Sequence, residues 1–248
     1  MLTEQRKILL LAHLQKRGRI VAKKMSEKWN LSEDTIRRDL RELAAEGKLQ
    51  RVHGGALPAS PAIANLATRR NSAGDEKARL GRAGAELITP SMTVFIDGGT
   101  TNLEVAQHIP LDLPVTVFTH SPIIAAAFEA HDVAKVVLIG GTVFKHSMVA
   151  MGPSAVEMIL QLRVDLFFLG VTGVHPDEGL TTGDFDEAQI KRLIASRAAE
   201  TVALVTSEKL ATASAFSILP IKSIAKLIIA KDAKLPQFDV AGPEVIRV

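Results

Sequence analysis

Residues 32 to 56 read S-E-D-T-I-R-R-D-L-R-E-L-A-A-E-G-K-L-Q-R-V-H-G-G-A, a basic helix that runs into a glycine-punctuated ribbon. Ser32 is placed to cap the helix, and Ile36, Leu40 and Leu43 recur at i, i+4 and i+7, giving it one apolar stripe. At about 100° per residue, Arg37, Arg38 and Arg41 fall on the opposite face. Asp39 interrupts the basic run beside the apolar edge, where it is expected to orient an arginine. Gly47 stops the helix. From Lys48 to Ala56 apolar and polar residues alternate with a bend at Gly54-Gly55, which predicts a two-stranded wing whose Arg51 and His53 can touch a phosphate backbone.

Upstream, Thr3, Glu4 and Gln5 open a first helix in which Ile8, Leu11 and Leu14 recur at helical spacing, and Gly18 ends it. A short helix over residues 21 to 29 and the turn Asn30-Leu31 complete a helix-turn-helix, with Trp29 read as core. In that arrangement the last helix enters the major groove and its first turns face base edges. Charge agrees. Residues 1 to 57 carry 13 Lys+Arg against 7 Asp+Glu, a net of +6, whereas residues 58 to 248 carry 17 against 20, so the overall +3 hides a basic lobe on a mildly acidic one. Locally dense positive charge is what a polyanion rewards.

The run T-I-R-R-D-L-x-x-L-x-x-x-G-x-L-x-R-x-H-G-G-A, from Thr35 to Ala56, resembles the signature of the DeoR family of bacterial transcriptional regulators. The resemblance implies a winged helix-turn-helix that represses sugar-use operons, and by position it makes Ser32, Glu33, Thr35, Arg37 and Arg38 DNA contacts, joined by Arg41, Arg51 and His53. One short helix reads too few bases for useful specificity, so a homo-oligomer on half-sites about one helical turn apart is expected on double-stranded operator DNA.

The 248 residues exceed what one small domain needs, and 47% are apolar, enough for a second, larger core. Two prolines and small residues over 57 to 68 mark a linker, so the expected organisation is a DNA-binding head over 1–57, a linker over 58–70 and an effector domain over 71–248. Beyond the linker, strand-like runs at Thr93-Phe95-Ile96, Val115-Val117-Phe118, residues 136 to 139, 166 to 169, 202 to 205 and 227 to 229 alternate with helical stretches. That rhythm predicts a mostly parallel sheet covered on both faces, whose ligands sit at the carboxyl ends of strands. There, V-F-I-D-G-G-T-T-N ends a buried strand at Asp97 and starts a helix near Thr101. Gly98 and Gly99 allow close backbone approach, and Thr100, Thr101 and the free helix N–H groups suit an anion. Related turns stand at Thr119-His120-Ser121, Gly140-Gly141-Thr142, Gly170-Val171-Thr172-Gly173 and residues 179 to 183, and together they describe one polar pocket.

The stretch G-L-T-T-x-D-x-x-E-x-x-x-K-R, residues 179 to 192, continues the resemblance into the family's effector domain. Asp184 and Glu187 also form a capping box, and Lys191 makes a plain i, i+4 pair with Glu187. The family's effector fold is similar to ribose-5-phosphate isomerase. By that likeness Asp97, Gly98, Gly99, Thr100, Thr101, Glu187 and Lys209 line a sugar-phosphate site, with Thr119, His120 and Gly141 from the neighbouring turns. Relatives usually read D-S-S-K-F where this chain has Thr206-Ser207-Glu208-Lys209-Leu210, losing an acid, and T-N where it has Thr119-His120; both changes suggest an altered effector. The alternative is a sugar-phosphate isomerase with an appended head, using Asp97, Glu187 and Lys209 as acid, base and anion partner.

No cysteine occurs, so disulfides and thiolate metal sites are excluded. The seven histidines are scattered without metal-ligand spacing, no nucleotide-binding or nucleophile-elbow motif appears, and neither a metal nor a cofactor is expected. Without a signal sequence or a run of about 18 apolar residues, the chain is expected to be cytoplasmic and off the membrane.

Overall fold

The computed structural model describes residues 2–60, 66–70, 73–234 and 242–248. Helices α1 (Thr3–Arg17), α2 (Ala22–Trp29) and α3 (Glu33–Ala45) enclose a small core of Leu10, Leu14, Met25, Ile36, Leu40, Leu43 and Leu49, with Trp29 packed at its edge. Asn30 turns the chain in the left-handed region (φ 51°), and the Ser32 side chain accepts from Thr35 N at 3.2 Å to start α3. Gly47, at φ 72°, ends it and donates to Ala44 O.

The face that α1 buries differs from the expected stripe. Arg6, Leu10 and Leu14 point inward, Leu11 is partly buried, and Ile8 stays 66% exposed. Residues 8 to 11 are apolar on both sides of the helix, so periodicity alone admits either face. The choice falls to Arg6, whose guanidinium grips both oxygens of Asp39, a residue of α3 with no solvent exposure. Asp39 therefore does orient an arginine, and that arginine lies on another helix.

Strands β1 (Ile20–Val21), β2 (Gln50–Val52) and β3 (Gly55–Leu57) form an antiparallel sheet in the order β1-β3-β2, so the wing has a third strand that a two-residue apolar pair did not announce. Gly55 is obligatory there: a Cβ would lie 1.8 Å from Ile20 O.

The chain then passes through residues 58–60 and α4 (Leu66–Arg70); residues 61–65 and 71–72 of the expected linker and its border lie outside the described residues. Next come α5 (Gly74–Ala85), β4 (Thr93–Ile96), α6 (Thr100–His108), β5 (Thr116–Thr119), α7 (Pro122–Ala126), β6 (Lys135–Leu138) and the hairpin β7 (Thr142–Phe144) with β8 (Val149–Met151). They are followed by α8 (Pro153–Leu160), β9 (Val164–Leu169), β10 (Gly173–His175), β11 (Gly179–Thr182), α9 (Phe185–Ala195) and β12 (Ala198–Val205). The last strands are β13 (Phe216–Leu219), β14 (Lys226–Ile229) and β15 (Glu244–Arg247).

Seven strands make a wholly parallel sheet in the order β15-β14-β12-β9-β4-β5-β6. Alternation along them feeds two cores: Val94, Ile96, Val117, Phe168 and Leu204 meet α5, α6 and α7, while Phe95, Phe167, Leu169, Ala203 and Val205 meet α8 and α9. A smaller antiparallel sheet, β10-β11-β13, covers part of the second core with Val174, Leu180 and Ile218. Strand order reverses between β4 and β9, and such a switch point leaves a crevice beyond the strand ends. No helix among the described residues is long and apolar enough to cross a membrane.

Candidate functional site

At the switch point, β4 ends on Asp97, which is fully buried. A buried carboxylate needs partners, and this one has four. Oδ1 accepts from Gly98 N and His120 Nε2, each at 2.7 Å, and Oδ2 accepts from Gly170 N at 2.8 Å and Lys191 Nζ at 2.7 Å. Burial pushes this acid up, but the charge of Lys191 and the hydrogen bond from His120 outweigh it and hold it at about 2. Asp97 thus ties the ends of β4, β5, β9 and helix α9 into one floor. It offers no free lone pair to a ligand and no useful basicity at neutral pH.

Above that floor opens a cleft lined by Gly98, Gly99, Thr100, Thr101 and Asn102 at the start of α6, by Gly170, Val171 and Thr172 after β9, and by Thr182, Glu187, Lys191 and Lys209. Gly99, at φ 128°, turns the chain so that the first N–H groups of α6 face the cleft. The hydroxyl of Thr101 is buried there without a hydrogen-bond partner among the described residues, as expected of a group that meets a ligand. Gly170 is fixed by space: a Cβ would stand 2.6 Å from Gly98 O and 3.0 Å from Asp97 Oδ2. Asn102 holds the turn by donating to Asp97 O and Phe168 O.

Asp184 caps α9 by accepting from Glu187 N at 2.9 Å, one half of the expected box, while the Glu187 carboxylate turns instead to accept from the Thr182 hydroxyl and reaches Lys191 at 3.5 Å. Burial raises this acid, but the charge of Lys191 together with hydrogen bonds from Thr182 and Ser147 outweighs it and the net shift is downward. Lys191, which the spacing presented as a plain helix pair, is buried and also donates to Gly170 O at 2.8 Å; burial disfavours its charge, and Asp97 and Glu187 restore it. Lys209 donates to Val171 O at 3.0 Å, and burial, then Arg69 and Lys77, push it down to about 7.

Of the residues named from sequence, residues 98–101, Glu187 and Lys209 share the cleft. Asp97 and His120 lie beneath it, His120 also contacting Ala150 O at 3.0 Å, and Thr119 Oγ1 accepts from Ser121 N to shape the turn into α7. Gly141 is elsewhere: it leads into β7, exposed, with its backbone against Met151 O. Ser147, Lys191, Leu204 and Arg69 complete the lining without having been singled out as pocket residues. A second lobe, lined by Phe144, His146, Gly183 and Asp184, joins the cleft through Arg69, Ser147, Thr172 and Glu187.

In the head, Arg37, Arg38 and Arg41 are exposed on α3, and Ser32 and Thr35 stand at its start. Arg37 is paired with Glu33 at 2.8 Å. Arg37, Leu40, Arg51 and His53 border one depression between α3 and the wing, so helix and wing present a continuous basic surface.

Residues 6–61 match the DeoR-like helix-turn-helix domain and residues 72–231 the DeoR C terminal sensor domain. The HTH-type transcriptional regulator GlpR of Haloferax volcanii is 33% identical over 196 residues, covering 75% of this chain and 73% of that protein. The glycerol-3-phosphate regulon repressor of Escherichia coli is 30% identical over 197 residues, 79% of this chain and 78% of its own. Among solved structures, ribose 5-phosphate isomerase from Methanocaldococcus jannaschii aligns over 56% of this chain and 55% of its own, at 17% identity and a TM-score of 0.42.

Proposed function

The chain belongs to the DeoR family of transcriptional regulators, and from that premise we propose that it is a cytoplasmic repressor of a carbohydrate-use operon whose grip on double-stranded operator DNA is changed by a phosphorylated sugar. The observation that carries the reading is the cleft at the switch point: a helix N-terminus, two glycines and an unpartnered buried hydroxyl at Thr101 suit a phosphate, and the Glu187 carboxylate suits sugar hydroxyls. The same chain carries the basic reading helix. The repressor names of its relatives agree. Ser32, Glu33, Thr35, Arg37, Arg38, Arg41, Arg51 and His53 make the DNA surface, and a homo-oligomer places two of these surfaces on adjacent half-sites. Turnover is not part of the proposal, because Asp97 is saturated and held at about 2.

The test is operator binding by fluorescence anisotropy, on genomic fragments selected by the immobilised protein, with and without a panel of sugar phosphates and the free sugars. Coupling of about 1–3 kcal/mol predicts a change of roughly 5- to 150-fold in operator affinity with a phosphorylated ligand and none with its free sugar. Equal affinity across the panel, with thermal melting equally unmoved, retires the effector reading and leaves DNA binding standing.

A further inference from the structure

Among the described residues, Lys191, Lys209 and Arg69 are the cations that line the cleft, and they differ in chemistry. Lys191 spends its donors on Asp97, Gly170 O and Glu187. Lys209 is pushed down to about 7 by burial and cationic neighbours, so near neutrality much of it is uncharged. Arg69 is different. A guanidinium keeps its charge at any physiological pH and can offer two parallel N–H bonds to a phosphate. It lines the cleft and the second lobe alike, at their junction, opposite Glu187, whose charge favours the guanidinium against the cost of burial.

What sets Arg69 apart is where the chain places it. It stands on α4, between the wing and α5. The described residues of the segment that leaves β3 are tied to the sensor domain at several points. Ser60 donates to Thr172 O, Ala59 bridges Ala213, and Ala213 N donates to Pro58 O at 3.4 Å. Leu66 N donates to His146 O at 3.1 Å, and Lys77 Nζ donates to Arg69 O at 2.5 Å. Thr172 and His146 both line the pocket. Two anchors of the connection, at Ser60 and Leu66, are therefore made to pocket residues.

We propose that Arg69 is an anion-binding residue of the effector site, supplied by the connection to the head, so that a phosphorylated ligand held between α6 and Arg69 fastens that connection to the sensor domain. The proposal rests on the sugar-phosphate reading above. It assigns the phosphate two jaws, one fixed at residues 98–101 and one that belongs to the segment joining the domains. A ligand without the anion leaves the second jaw unused.

The experiment compares full-length wild type, Arg69→Gln and Arg69→Lys by calorimetric titration with inorganic phosphate and the sugar-phosphate panel, with hydrogen exchange followed at the amides of α4. The expected result is a loss of about tenfold or more in affinity for the phosphorylated ligand in Arg69→Gln. Arg69→Lys should fall between, because it keeps the charge and loses the fork. Ligand should slow exchange in α4 of wild type and fail to do so in Arg69→Gln. Unchanged affinity in Arg69→Gln, or ligand-independent exchange in wild-type α4, overturns the assignment while the sugar-phosphate reading survives. Failure of wild type to bind any member of the panel overturns both. If Arg69→Gln melts well below wild type, Arg69→Lys carries the comparison: full affinity there with no change in α4 exchange overturns the proposal.

Discussion

A carboxylate with no exposed surface and four hydrogen bonds is an expensive object to disturb, and Asp97 is one. Asp97→Asn keeps the shape and leaves the buried Lys191 charge without its main counterpart, so denaturant unfolding should show a loss of about 3–5 kcal/mol. Because the folded Asp97 sits at about 2, below its ordinary 3.8, its stabilisation is present above about 4 and is lost as pH falls toward 2. Lys209 works in the other direction. Its folded value of about 7 lies below the ordinary 10.5, so the unfolded chain holds more protons between the two and stability rises with pH across that window. An anion beside Lys209 favours its protonated form. Effector affinity should therefore fall as pH rises from 7 to 9, a range above the second ionisation of a phosphate monoester near 6. Calorimetry should show proton uptake on binding, absent in Lys209→Met; identical pH profiles would separate Lys209 from the ligand. The D-G-G-T-T turn was legible because glycine and threonine have steric and capping signatures of their own. Lys191 and Arg69 were not: an i, i+4 partner supplies a complete local account of Lys191, whose decisive contact lies 94 positions away, and Arg69 sits in a stretch without apolar periodicity.

At the scale of elements, α3 and the wing separate recognition from folding. Arg38 is exposed and makes no hydrogen bond or ion pair among the described residues, so Arg38→Ala should weaken operator binding while the melting of the head stays within about 2–4 °C, surface changes being worth under ~0.5 kcal/mol. Gly55→Ala should do the reverse, lowering the melting of the head because its Cβ collides with Ile20 O in the strand pairing that holds the wing. An equal loss of binding and melting in Arg38→Ala would place that arginine in the core. Long strands and capped helices could be read from sequence because period and cap repeat the same message over several residues. The hairpin β7–β8 and the strands β10, β11 and β13 could not. Each has three or four residues, often next to glycine, and is held by pairing with distant segments. Gly140-Gly141-Thr142 shows the ambiguity: a turn after a parallel strand, it opens an antiparallel hairpin rather than a helix. The buried side of α1 was undecidable for a similar reason, since a partner on α3 selected it.

The whole molecule joins a lobe of +6 to one of −3, and its operator affinity should respond accordingly. The logarithm of the binding constant should fall with the logarithm of salt at a slope of about −0.9 per phosphate engaged. Light scattering in the same titration should find at least two chains per operator, with half-sites about one helical turn apart. A single chain per operator would leave the reading helix to work alone. The course of residues 58–60 and α4 along the pocket bears on how such proteins can be recombined. Their place in sequence makes them a linker, but Ser60 bonds to the sensor and Arg69 lines its cleft. A chimera that grafts this sensor onto a foreign head should be cut immediately after Leu57, carrying residues 58–70 with the sensor. One cut after α4 would inherit a stranger's arginine, or none, and should bind its operator without answering to the sugar.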